Sequence, residues 1–140
     1  MTLVVDANVA LLWTIETPLS GLAGRLLRSD HALIAPELIV AEFANALYFV
    51  IKDRGDRVQR ALDGLEFLPR WFAELVPATE LRHRAMACAM EIQHPIYDCF
   101  YLALAEARHV PFVTTDQHFI GKASGAGHGG HIVHLEKWQP

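Results

Sequence analysis

Short runs of β-branched residues alternate with longer helical segments from one end of this chain to the other. That alternation restricts it to folds in which parallel strands are joined by helical crossovers. Thr2 to Val5 reads as a buried strand because it is short, apolar and followed by the polar Asp6 and Asn8. A short helix to about Trp13 follows, then a helix opened by Pro18 and Ser20 and running through Arg28, and a strand from His31 to Ala35 that Pro36 closes. A helix from about Glu37 to Ile51 is broken at Gly55, another covers about Asp56 to Leu68, and Trp71 to Val76 gives a third strand ending at Pro77. Helices from about Ala78 to Ile92 and from Pro95 to about Arg108 lead to the strand Phe112 to Thr115. A short helix from Asp116 to about Lys122, a glycine-rich loop over Gly121 to Gly130 and a last strand from Ile132 to Leu135 complete the pattern. It predicts an α/β fold of three layers, with a mainly parallel central sheet and helices on both faces.

A length of 140 residues fits one domain, residues 1–140, and no internal repeat is visible. With 52% hydrophobic and 20% charged residues the composition is that of a globular protein. The longest greasy stretch, Leu38 to Ile51, contains Glu42 and Asn45 and is too short to span a bilayer. No basic segment precedes an apolar core at the N-terminus, where Asp6 interrupts the run, so a cytoplasmic location is expected. Cys88 and Cys99 are too few for a disulfide framework or a thiolate metal site and read as packing residues. A formal charge of −4 excludes a protein that coats nucleic acid by bulk electrostatics, though not a local encounter at an active site. The basic group Lys52, Arg54, Arg57 and Arg60 reads as a solvated helix face.

Four acids occupy places where burial is expected. Asp6 follows Leu3-Val4-Val5, Asp116 follows Phe112-Val113-Thr114-Thr115, Asp98 starts a helix, and Glu42 lies inside the greasy one. The ends of strands are where open α/β sheets build ligand sites. Taken singly, Asp6, Asp98 and Asp116 could be helix caps. Glu42, read as mid-helix, has no cap to provide, and a buried unpaired carboxylate costs several kcal/mol unless it is protonated or bound to metal. Two carboxylates about 4 Å apart repel by roughly 4 kcal/mol at an effective dielectric near 20, so four acids sharing a pocket call for a compensating cation. All-oxygen donors suit Mg²⁺ or Mn²⁺, and such a pocket with open positions is equipment for phosphodiester hydrolysis.

Leu3-Val4-Val5-Asp6-Ala7-Asn8, Pro36-Glu37 with Glu42 beyond it, Tyr97-Asp98-x-x-Tyr101-x-Ala103-Leu104-Ala105, and Val113-Thr114-Thr115-Asp116-x-x-Phe119 together resemble the successive signatures of PIN-domain ribonucleases, most closely VapC-type toxins of toxin-antitoxin pairs. The resemblance spans essentially the whole chain. It implies a Mg²⁺- or Mn²⁺-dependent endoribonuclease with Asp6, Glu42, Asp98 and Asp116 as its acidic, metal-binding centre. It implies Asn8 and Thr114 as supporting residues, and RNA and a cognate antitoxin as partners. Cys99-Phe100 after Asp98 departs from the small residue common in the family. A housekeeping RNA-processing nuclease and a non-catalytic interaction module are the alternatives. A homodimer is expected because the helix within Leu38 to Ile51 is apolar nearly all round and must bury more than one face.

Other chemistries fare worse. His128, His131 and His134 recur every third residue, but the odd spacing of His131 and His134 in a strand sends them to opposite faces, which disfavours zinc. Gly125 to Gly130 lacks the Lys-Ser/Thr ending of a phosphate loop, and no serine sits in a nucleophile elbow. His118 reads as a surface histidine, and Met86 and Met90 as core filling.

Overall fold

The computed structural model describes residues 1–54 and 58–140. Five strands, β1 (Thr2–Val5), β2 (Ala32–Pro36), β3 (Glu74–Val76), β4 (Phe112–Thr114) and β5 (Ile132–His134), form one all-parallel sheet in the order β3-β2-β1-β4-β5. The described helices are α1 (Ala7–Leu11), α2 (Ser20–Leu27), α3 (Ile39–Arg54), α4 (Val58–Phe67), α5 (Ala78–Ile92), α6 (Ile96–Arg108) and α7 (Gln117–Gly125). They cover both faces of the sheet in the three-layer α/β arrangement that the alternation predicts.

The sheet is hydrophobic because it is buried. In β1, Leu3, Val4 and Val5 are all inaccessible, as are Phe112 and Val113 of β4. Both strands therefore read as unbroken apolar runs rather than alternating ones. Leu3 pairs with Leu33 on one side, and Val5 with Val113 on the other. The chain leaves β1 toward β2 and β3, then crosses back to β4 and β5. With right-handed crossovers, that reversal opens a crevice beyond the carboxyl ends of β1 and β4. Asp6 and Thr114 lie at that position.

Several elements differ from the pattern read in the sequence. The third strand is shorter than Trp71 to Val76, because Leu68–Trp71 closes as a 3-10 turn with its proline in the first positions, leaving Glu74–Val76 to pair with β2. The segment Gly121 to Gly130 is not all loop. Helix α7 continues to Gly125, carried by the buried Phe119 and Ala123, and the chain turns away at Gly127, whose φ of +86° suits glycine. Pro36 is the last residue of β2, and α3 begins at Ile39, so Glu42 stands in its first turn rather than mid-helix. Met86 and Met90, expected in the core, are 52% and 71% exposed. Cys88 and Cys99 are buried and unpaired, as packing residues would be. The expected break at Gly55 and helix start at Asp56 lie outside the described residues. No helix among the described residues is long and apolar enough to cross a membrane.

Candidate active site

All four acids sit at helix N-termini that face the crevice edge of the sheet. Asp6 is the residue before α1 and accepts a long hydrogen bond from the Asn8 amide at 3.4 Å. Glu42 lies in the first turn of α3 and Asp98 in the first turn of α6. Asp116 caps α7, accepting from the Phe119 amide at 2.9 Å. Each helix presents its positive dipole end to the carboxylate it carries, which offsets part of the cost of holding the charge. For Asp116 the capping alternative describes what the side chain does. Asp98 caps nothing, since Pro95 precedes α6.

Asp6 is buried and hydrogen-bonded. The Thr114 hydroxyl donates to its Oδ2 at 2.6 Å and accepts the Asp116 amide at 3.1 Å, so one threonine ties the first acid to the backbone of the last. Burial is the main cause that raises the Asp6 carboxyl from 3.8 to about 7; the Thr114 bond opposes it, and the charges of Asp98 and Glu42 add to it. Glu42 is raised by burial and by Asp98, against the Tyr101 hydroxyl, which donates to its Oε1 at 2.8 Å. Asp6, Glu42 and Asp98 therefore share one electrostatic environment, whereas Asp116 is joined to it through Thr114. Asn8 contributes its backbone amide to Asp6.

Two residues that the sequence reading passed over hold these acids. Tyr101 is fully buried, stacks at 5.6 Å on Phe112 and bridges α6 to α3 through Glu42. His94 places Nε2 2.7 Å from Asp98 Oδ2, and its ring packs 4.9 Å from that of Phe119. Its Nδ1 is buried without a partner. Tyr101 was visible within the third acidic motif, but an aromatic in an apolar helix signals core. A histidine four residues before Asp98 was the available sign of the second contact.

An all-oxygen, partly buried donor set in which neighbouring charges add to the raising of Asp6 and Glu42 fits a hard divalent cation. No three of these acids bring carboxylate oxygens within 4.8 Å of one another. That open spacing suits an ion that keeps several waters and takes few carboxylates directly better than one that needs a closed cage. Cavities of about 390 Å³ and about 320 Å³ lie elsewhere, lined by residues such as Glu106 and His128 or Glu74 and Arg108. Shape alone would therefore point away from the acids; burial and charge point to them.

Parallel sheet, crevice and acids define a nuclease-type fold, and residues 3–124 match the PIN domain: the chain belongs to the PIN domain family. Its fold is similar to the crystal structure of PAE2754 from Pyrobaculum aerophilum, with a TM-score of 0.71 over 97% of this chain and 85% of that one. At 19% identity the likeness is one of fold. No curated protein matches the sequence.

Proposed function

We infer that the chain is a divalent-metal-dependent endoribonuclease, working as one PIN-like domain over residues 1–140, and that it is the cytoplasmic toxin of a type II toxin-antitoxin pair. The observation that carries the nuclease reading is Asp6: a buried carboxyl raised to about 7, in the field of Asp98 and Glu42, at the switch point of a PIN-family sheet. Asp6, Glu42, Asp98 and Asp116 would hold Mg²⁺ or Mn²⁺, with Asn8 and Thr114 in support. A cation bound there supplies an acidified water and offsets the charge on a phosphodiester. The chain's own residues supply the aim. Thr114 turns Asp6, Tyr101 turns Glu42 and His94 turns Asp98, each through a bond of 2.8 Å or less.

The toxin reading is supported by the sequence resemblance and by apolar side chains left exposed on α3 and α4, among them Tyr48, Phe49, Leu62 and Leu65. Such a patch fits a homodimer and an antitoxin segment better than bare solvent. Purified protein free of inhibitor is expected to cleave single-stranded RNA with Mg²⁺ or Mn²⁺ and to stop in excess chelator. Asp98→Asn is expected to lower the rate by at least about a hundredfold. Undiminished cleavage in chelator would overturn the metal-dependent reading. Growth arrest on expression, relieved by a co-expressed neighbouring antitoxin, tests the biological role; equal harmlessness of wild type and Asp98→Asn would remove it.

A further inference from the structure

Helix α6 carries a second cluster at its other end, at Glu106, eight residues and about 12 Å along the axis from Asp98. Cys88 of α5, Glu106 of α6 and His128 bring potential ligand atoms within 4.8 Å of one another. The Cys88 thiol donates to Glu106 Oε2 at 3.7 Å, and His128 Nδ1 lies 2.6 Å from Glu106 Oε1. The remaining ring nitrogen, Nε2, lies 2.5 Å from Glu91 Oε2. Arg84 approaches Glu106 Oε2 at 3.7 Å from a largely exposed position. His128 is itself anchored, its amide donating to the Ala123 carbonyl at 2.8 Å just after the turn at Gly127.

We propose that Cys88, Glu106 and His128 form a metal site separate from the sheet-edge acids, selective for Zn²⁺ over Mg²⁺. One sulfur, one nitrogen and one carboxylate oxygen are the donors a borderline-soft ion takes, while Mg²⁺ prefers oxygen alone. Usual Zn–S and Zn–O lengths at a tetrahedral angle separate sulfur and oxygen by about 3.6 Å. The 3.7 Å between Cys88 Sγ and Glu106 Oε2 already matches. His128 Nδ1 contacts the other carboxylate oxygen, Oε1, at 2.6 Å, so a metal held on Oε2 beside the thiol needs the ring or the carboxylate to turn until nitrogen and Oε2 stand at the corresponding edge of about 3.4 Å. With Nδ1 on the metal, Nε2–H donates to Glu91, the carboxylate partner that metal-bound histidines ordinarily have. Binding releases the Cys88 thiol proton, and any proton on Nδ1, to solvent. The fourth position falls to the adjoining cavity of about 390 Å³, whose walls include His109 and His131. The histidine periodicity of the tail misses this arrangement because its partners come from two distant helices rather than from the other histidines.

The site does not depend on the nuclease reading, and cobalt reads it without any activity. In excess Mg²⁺, one equivalent of Co²⁺ added to the full chain is expected to raise a thiolate-to-cobalt charge-transfer band that Zn²⁺ abolishes. Cys88→Ser should remove the band, Cys99→Ser should keep it, and Glu91→Gln should weaken cobalt affinity roughly ten- to a hundredfold. No band at saturating Co²⁺, or a band that survives Cys88→Ser, overturns the proposal and leaves His128 as a ring that bridges two glutamates. Should Cys88→Ser not fold, His128→Gln replaces it, and in the unaltered chain Zn²⁺ must slow alkylation of Cys88 selectively. Equal rates with and without Zn²⁺ overturn it as well.

Discussion

Asp6 meets three conditions that all oppose its charge: burial, Asp98 and Glu42. Between its ordinary 3.8 and about 7, the folded chain keeps a proton that the unfolded chain has released. The resulting stability is complete below the lower value and is lost as pH rises through about 7. Glu42 and His128, also raised, act with the same sign, so a comparison with Asp6→Asn isolates the first acid. In chelator, the melting temperature of the wild type is expected to fall between about pH 5 and about pH 8, and that of Asp6→Asn to fall less. Parallel curves would mean that Asp6 is not the strained group. Tyr101→Phe keeps the ring stacked on Phe112 and removes the donor to Glu42. It is expected to cost about 1 kcal/mol in a denaturant melt and to weaken Mg²⁺ stabilisation about tenfold in apparent affinity. The acids stand out because each interrupts apolar sequence, and Thr114 was read with them, whereas Tyr101 and His94 were not legible as holders. Tyr101 reaches Glu42 across 59 residues, and no local period encodes such a contact.

Among the elements, helix α4 packs so closely at Gly64 that an added Cβ would lie 2.3 Å from the Thr14 methyl. Thr14 is buried and its hydroxyl donates to the Leu11 carbonyl, so the methyl has no free rotation with which to yield. Gly64→Ala would gain about 1 kcal/mol of helix propensity and lose about 1–3 kcal/mol to overpacking. A net loss is expected. Gly121→Ala, in α7 with nothing within 4 Å, is expected to raise stability by up to about 1 kcal/mol. The same substitution thus takes opposite signs in two helices, and chemical denaturation of both variants checks it. The strands were legible from their composition and the crossovers from the alternation. The lower-contrast pieces were not. Pattern cannot tell that Trp71 closes a 3-10 turn or that two buried residues pull a glycine-rich segment into helix.

At the scale of the whole molecule, the exposed Tyr48 and Phe49 rings meet edge to face at 5.3 Å on a helix whose inner side is already in the core. A second copy laid against that face would bury what one small sheet cannot. Light scattering at micromolar concentration is expected to exceed the 15.6 kDa of one chain, and Phe49→Glu to return it toward that mass. A wild type at 15.6 kDa would remove the dimer. The order of the strands is also a timetable. Asp6 leaves the ribosome 108 residues ahead of the Thr114 hydroxyl that grips it. At a synthesis rate of about 5–20 residues per second, an emerging chain lacks its fourth acid for at least about five seconds. On the proposed nuclease reading, a half-made copy has no finished site with which to attack the message that encodes it.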